Sequence, residues 1–212
     1  MSLSIVVLNW NDGRSTIDCL QSILKSNHNN YDIILVDNNS ELKHLNFIKR
    51  WHKREINCDG KFVRADHKRF DNIIEIKENE IINKKEKNKK NIYLIKNRKN
   101  FGLTKGLNIG YQFSINNKYK YILRIDNDVF VEKNCIKKLI KELSNSDIAA
   151  ISPKILHGYL TKTVWWSEFY MKWSYLKFQG TINSKKKRVL DDKKISKIKE
   201  VDAIAGACSA YN

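Results

Sequence analysis

Tyr121-Ile122-Leu123-Arg124-Ile125-Asp126-Asn127-Asp128 is an apolar run that ends in two carboxylates one residue apart. The run has the length and composition of a buried strand. Residues two apart on a strand share a face, so where the strand ends both carboxylates reach one site. Mg²⁺ and Mn²⁺ are hard cations that favour carboxylate oxygens and commonly share their shell with substrate phosphates. The same residues also suit an Asp/Asn turn closed by local hydrogen bonds. The rest of the chain decides between these readings.

On either side, strands alternate with helices. Residues 4–8, 32–36, 92–95, 121–125 and 148–151 read as strands, and 201–211 as another. Residues 12–26 read as a helix, because Ile17, Leu20, Ile23 and Leu24 recur at helical spacing behind a cap at Asn11 or Asp12. Residues 102–116 and 132–143 read likewise, the second with Ile136, Leu139, Ile140 and Leu143 on one face. Gly102, Gly106 and Gly110 fall four apart, on one helix face suited to close packing on a sheet. This order implies an α/β domain with a mostly parallel central sheet flanked by helices. Such sheets bind ligands beyond the carboxyl ends of their strands. The polar clusters stand there: Asn9-Trp10-Asn11, Asp37-Asn38-Asn39, Asn97 to Asn100, and Asp126-Asn127-Asp128.

Residues 41–91 interrupt this rhythm and read as an insertion after the second strand. A short helix is expected around Phe47, Ile48 and Trp51. A hairpin is expected from 61–63 and 73–76, and a mobile charged tip near 84–90. The stretch 160–199 is basic and irregular. Its aromatic group of Trp165, Trp166, Phe169, Tyr170, Trp173, Tyr175 and Phe178 suits a satellite core or an acceptor groove equally.

With 212 residues, 42% hydrophobic and 30% charged, the chain fits one globular domain. No apolar run has the length of a membrane-spanning helix or of a signal-peptide core, so a cytoplasmic location is expected. Cys19, Cys58, Cys135 and Cys208 form no C-x-x-C and no zinc-finger spacing, and read as buried free thiols. The net charge of +17 reads mainly as a Lys-rich bias, with weak attraction to an anionic membrane. Two rivals are a sugar-nucleotide-forming nucleotidyltransferase and a basic, non-enzymatic nucleic-acid-binding protein. The first normally carries a Gly-rich loop after strand one, where this chain has Asn9-Trp10-Asn11-Asp12-Gly13-Arg14. The second requires basic and aromatic residues together, and only residues 165–177 approach that.

No G-x-G-x-x-G follows the first strand, and there is no P-loop, G-x-S-x-G or kinase signature. Another grip on a phosphate ligand is needed. Trp10 can stack on a base or fill a core. Asp37 can accept hydrogen bonds from a base or ribose, or serve a turn. The D-x-D can hold a cation that bridges a diphosphate. Together these describe a nucleoside-diphosphate site.

At five ordered segments the chain resembles family 2 glycosyltransferases of the GT-A fold, nearest the rhamnosyltransferase-like branch. These are residues 4–11 with 19–23, residues 33–40, the N-x-G-x-x-x-G-x-N-x-G pattern from Asn100 to Gly110, Asp126-Asn127-Asp128, and residues 201–208. The resemblance implies inverting transfer from a UDP- or dTDP-sugar to a glycan or lipid-linked acceptor, with Mn²⁺ or Mg²⁺ as cofactor and no nucleic-acid partner. It places Asn9, Trp10, Asn11, Asp37 and Asn39 around the donor. Asn100, Gly102, Lys105, Asp126 and Asn127 complete that set, and Asp128, with Asp126, becomes the metal ligand. Relatives carry their general base some distance beyond the segment matching Gly206-Ala207-Cys208, so the base of this protein is expected beyond Asn212. The 212 residues are therefore expected to hold mainly the donor half of a C-terminally truncated domain, with no catalytic base assigned and slow or absent transfer. Asp202, the acid nearest that segment, is expected to be structural.

Overall fold

Continuous runs of Ile, Val and Leu become strands that are covered on both faces, as parallel strands require. A computed structural model describes residues 2–59, 68–77, 90–145, 147–158, 163–174, 177–182 and 198–212, with the backbone alone at 172–174 and 177–182. In chain order the elements begin with β1 (Leu3–Asn9), α1 (Gly13–Leu24), β2 (Tyr31–Asp37), α2 (Leu42–His52) and β3 (Asn72–Ile76). Next come β4 (Asn91–Lys96), α3 (Gly102–Asn116), β5 (Tyr121–Ile125), α4 (Cys135–Leu143), β6 (Ala150–Ile151) and β7 (Ile155–Leu156). The last are β8 (Val164–Trp166), β9 (Phe169–Ser174), β10 (Lys177–Ile182) and β11 (Cys208–Tyr211). The central sheet runs β3-β4-β2-β1-β5-β11-β6. Its first five strands are parallel, and β11 runs antiparallel to both β5 and β6. The α/β class with a mostly parallel sheet is thus as expected.

Strand alternation sorts the core into two layers. Ile5, Val7, Ile33, Leu35, Leu123 and Ile125 face α1, α2 and α4. Val6, Ile34, Val36, Tyr93 and Ile95 face α3. Asp12 caps α1 by accepting from the Ser15 N–H at 3.0 Å. On α3 the glycine face lies against the sheet. A Cβ on Gly110 would stand 2.5 Å from Val6 Cγ1, and one on Gly106 2.8 Å from Leu8 Cδ1. Gly102 has another role: nothing lies within 4 Å of its Cβ direction, but its φ of +77° favours glycine.

Several expectations need correction. Residues 73–76 lie in β3, which pairs in parallel with β4 at the edge of the described sheet. Its proposed partner, 61–63, lies outside the described residues, as does most of the charged tip, 84–89. The helix around Trp51 is α2, which buries Leu45, Ile48 and Trp51. Of residues 201–211 only β11 is a strand. The preceding turn is tied elsewhere: the Asp202 N–H donates to the Phe169 carbonyl at 3.0 Å, and Asp202 Oδ2 accepts from the Met171 N–H at 2.6 Å. The strand expected at 148–151 shrinks to Ala150–Ile151. Past β11, the Asn212 N–H donates to the Ala149 carbonyl at 3.0 Å and so carries the β11–β6 pairing one residue farther. Among the described residues, no helix is long and apolar enough to cross a membrane.

Edge strand β3 is pinned by Glu75, which pairs with Lys49 of α2 and, at 2.7 Å, with Lys96 of β4. These lysines, Lys49 first, pull the Glu75 carboxyl from an ordinary 4.5 down to about 2. A depressed carboxylate pKa stabilises the fold above the unfolded value, and that contribution disappears as pH falls through the folded value. Glu75 is partly exposed, so solvent screens the pairs and their worth is under about 1 kcal/mol. Glu75→Gln should lower stability slightly at neutral pH, and the deficit should vanish between pH 4.5 and about 2, read from urea midpoints across that range. A deficit constant with pH would show that the pairs do not carry it.

Gly110→Ala should cost about 1–3 kcal/mol, because Val6 is branched and fully buried and cannot turn aside. Gly106→Ala should cost less, because the half-buried Leu8 side chain can move. Urea unfolding of the two variants checks the order.

Candidate functional site

The register of the parallel strands sets their polar ends side by side. Asn9 stands opposite Asp37, and Asp37 opposite Lys96. One residue farther on, the ladder continues through loop backbone: Asn38 N–H donates to the Asn9 carbonyl at 2.8 Å, and Asn97 N–H to the Asp37 carbonyl at 2.9 Å.

Buried side chains knit these ends together. Asn9 Nδ2 donates to Asp37 Oδ1 at 2.8 Å and to Ser40 Oγ at 3.1 Å, while the other Asp37 oxygen accepts from the Ser40 N–H at 3.0 Å. Thr16 Oγ1 lies 2.9 Å from Asn9 Oδ1 and accepts from Asn127 Nδ2 at 3.2 Å. That hydroxyl therefore couples the loop after β5 to the end of β1. Asn38, 2% exposed, uses its whole amide: Nδ2 donates to Asn100 Oδ1 at 2.7 Å and to the Gly102 carbonyl at 3.1 Å. Its Oδ1 accepts from Asn97 Nδ2 at 3.1 Å and from the Phe101 N–H at 3.0 Å. Asn100 Oδ1 also takes the Gly102 N–H at 2.8 Å, at the start of α3.

The expected site residues thus fall into two groups. Asn9, Asp37, Asn100 and Asn127 are interlocked with one another or with Asn38, Ser40 and Thr16. Asn11 joins them: its N–H donates to Ser40 Oγ at 2.9 Å, and its Oδ1 accepts from the Glu41 N–H at 2.8 Å. Trp10, Asn39, Gly102, Lys105 and Asp128 are exposed at the same sheet edge or in the first turn of α3. At 56% exposure Trp10 is no core aromatic. Lys105 Nζ lies 4.4 Å above the Phe101 ring.

The two carboxylates of the D-x-D differ. Asp126 Oδ1 accepts from Arg124 Nε at 3.2 Å and Nη2 at 2.9 Å. Burial raises the Asp126 carboxyl above the usual Asp range, with Arg124 pulling it back and Asp128 pushing it up. Tyr111, which also meets Arg124, is pushed up to about 12, chiefly by burial. Asp128 is exposed and has no hydrogen bond or ion pair among the described residues. This donor set fits a hard divalent cation: one open carboxylate, plus the second oxygen of a neighbour that is already half used. Among the described residues no group of three or more His, Cys, Asp or Glu could hold a metal, so further oxygens would come from water and phosphate.

Residues 77–196, more than half of the chain, match the family profile described as glycosyl transferase family 2. The chain belongs to that family. An uncharacterized protein of Methanocaldococcus jannaschii is 42% identical over 66 residues, which are 31% of this chain and 29% of that protein. The fold is similar to that of the mannosyltransferase PcManGT from Pyrobaculum calidifontis, solved with GDP-Man and Mn²⁺. The TM-score is 0.51 at 13% identity, over 73% of this chain and 35% of that one. TarS 1–349 of S. aureus aligns with a TM-score of 0.48 at 13% identity, over 84% of this chain and 43% of that one. This family 2 chain therefore spans less than half the length of these relatives.

Sequence reasoning missed Thr16, Ser40 and Arg124. Arg124 had a visible signal, as the one charged residue in the β5 run. Thr16 and Ser40 had none, because a hydroxyl one turn into a helix or beyond a strand looks like solvent-facing polarity. Asn38→Ala should leave the Asn97 amide and the Phe101 N–H unpaired, at about 1–3 kcal/mol for each buried group. A urea midpoint shift worth at least about 2 kcal/mol is expected, and a near-neutral variant would show that water replaces this amide.

Proposed function

We propose that this domain transfers a sugar from a nucleoside-diphosphate donor, a UDP- or dTDP-sugar, to a hydroxyl of a glycan or lipid-linked acceptor, with inversion and with Mn²⁺ or Mg²⁺. Family membership supports the reaction class. The observation that carries the reading is the pairing, at one sheet edge, of an exposed Trp10 with an exposed Asp128 that has no partner among the described residues. An exposed indole offers a face on which a base can stack. An exposed carboxylate beyond a strand end offers an oxygen to a cation.

In this reading Asp128 is the direct metal ligand, and Asp126 is oriented by Arg124 toward the ribose or diphosphate. Asp37 and Asn9 fix the loops that carry Trp10 and Asn39, and Asn100, Gly102 and Lys105 lie along the donor's path. A bound divalent cation supplies charge stabilisation for the departing diphosphate. The chain's own residues bind the donor, hold its phosphates in line and expose the anomeric carbon to the acceptor. No residue up to Asn212 is assigned as general base. Glu168 pairs with Lys199 at 2.8 Å and accepts from the Tyr170 hydroxyl at 3.2 Å, and Asp202 is spent on the Met171 N–H. The aromatic face near them has an exposed Trp165 beside a Trp166–Phe169 stack with ring centroids 6.1 Å apart, and suits a sugar acceptor. We further assign the domain to the rhamnosyltransferase-like branch, working at the cytoplasmic face of an anionic membrane, with residues 41–91 as an insertion within a single domain.

Calorimetry with uridine, thymidine, adenosine and guanosine diphosphates, with and without Mn²⁺, tests the donor site. Uridine or thymidine diphosphate should bind tightest and need the metal. Asp128→Ala should weaken that binding by about tenfold or more, ~1.4 kcal/mol, at an unchanged melting temperature. Equal binding by the variant would remove Asp128 from the metal site, and tighter binding of GDP or ADP would overturn the choice of base.

A further inference from the structure

A cleft of about 570 Å³ opens beyond the ends of β3 and β4, lined by Glu75, Ile76, Lys77, Lys96, Asn97, Arg98, Phe101 and Lys105. That volume suits a small ligand. Four of its eight lining residues are cationic and one is acidic. Glu75 is already shared between Lys96 and Lys49, which lies outside the lining. Arg98 is exposed and has no hydrogen bond or ion pair among the described residues. Among the described residues Lys105 is engaged by the Phe101 ring alone, over which Lys99 also sits at 5.5 Å. The adjoining start of α3 carries no acidic residue in its first turn to offset these cations. Like charges gathered around a concavity repel, and an anion relieves that repulsion.

A second, independent observation narrows the ligand. Asn97 is 6% exposed, and its Oδ1 is buried without a hydrogen-bond partner although the residue lines the cleft. Its amide cannot simply be reversed. Nδ2 is fixed by donating to Asn38 Oδ1, which itself accepts from the Phe101 N–H. The cleft therefore offers cations for an acid group and, just beneath its lining, one carbonyl oxygen that lacks a hydroxyl or N–H donor.

We propose that this cleft is a metal-independent site for a phosphate ester carried on a hydroxyl-rich body, a phosphorylated sugar or polyol. The phosphate lies between Arg98 and Lys96, and a hydroxyl donates to Asn97. The site is separate from the proposed cation site. β4 and β5 are divided by β2 and β1, three inter-strand steps of about 4.8 Å each, or roughly 14 Å. It stands whether or not Asp128 holds a donor. The phosphate can belong to a soluble sugar phosphate or to a polyol phospholipid headgroup, and the chemistry recognised is the same.

Calorimetry in the presence of EDTA, with glucose 1-phosphate and inorganic phosphate as probes, tests the site on the full chain. Glucose 1-phosphate should bind without metal and more tightly than inorganic phosphate. Arg98→Glu should weaken it at least about tenfold, ~1.4 kcal/mol. Lys137→Glu, on the exposed side of α4, removes the same charge elsewhere and should leave binding unchanged. Asp128→Ala should also leave it unchanged, whereas Mn²⁺-dependent nucleotide binding should survive Arg98→Glu, so the two readings fail separately. Displacement of glucose 1-phosphate by phosphatidylcholine vesicles containing phosphatidylglycerol, and not by phosphatidylcholine alone, would assign the lipid source. Lack of displacement would assign the soluble one. Absence of metal-free binding, equal loss in Lys137→Glu, or no loss in Arg98→Glu would overturn the site, and equal affinity for inorganic phosphate would overturn the role of Asn97.

Discussion

The buried amide of Asn38 is the constraint on which the polar end of the sheet depends. Parallel strands end with backbone groups that have no further strand to pair with, and here those groups are buried. An unpaired buried group costs about 1–3 kcal/mol. Asn38 meets that demand with four hydrogen bonds and ties the loop after β4 and the start of α3 to the end of β2. Asp37 and Asn9 tie the loop after β2 to the end of β1. The exposed groups, Trp10 and Asn39 among them, sit on a frame whose buried polar side chains are tied to one another, Asn97 Oδ1 excepted. Such a frame holds side chains in place before a ligand arrives, which is what binding without a large ordering cost requires.

A division of labour between the carboxylates follows from Arg124. A strand residue two positions before Asp126 faces the same side, so the guanidinium and the carboxylate meet without any loop having to move. The pair leaves Asp126 with one engaged and one open oxygen and leaves Asp128 entirely open. Gly206 belongs to the same arrangement, since a Cβ there would stand 3.1 Å from Arg124 Nη1. The glycine makes room for the arginine, and the arginine orients the acid.

Much of the fold was legible because its signals are local. β1, β2, β4 and β5 are apolar runs that no helix period fits, and α3 has both a glycine at its start and glycines on its packed face. What was not legible depended on pairing. β11 carries the composition of a parallel strand but runs antiparallel, because the chain returns through residues 163–174 and is anchored there by Asp202 before entering the sheet. The parallel pairing of β3 with β4 had no signal in either strand's own residues. The hydrogen bonds among the candidate positions were not legible in the sequence. Asn9 and Asp37 look like ligand contacts in the sequence, yet their side chains spend hydrogen bonds on each other, a fact that only the strand register creates.

The net charge of +17 acquires meaning only once it is sorted by partner. Lys49 and Lys96 share Glu75, Lys199 holds Glu168, and Lys43 pairs with Glu41. These pairs are partly exposed and contribute little stability. The lysines on the outer side of α4 face water, where repulsion is screened over about 8–10 Å. A cation in a concave lining has less water around it and nearer neighbours of its own sign, so its repulsion is larger than on a convex helix face. Composition alone weighs these lysines equally. Geometry separates a solvated surface from a cleft in which, among the described residues, four cations line the wall with one carboxylate.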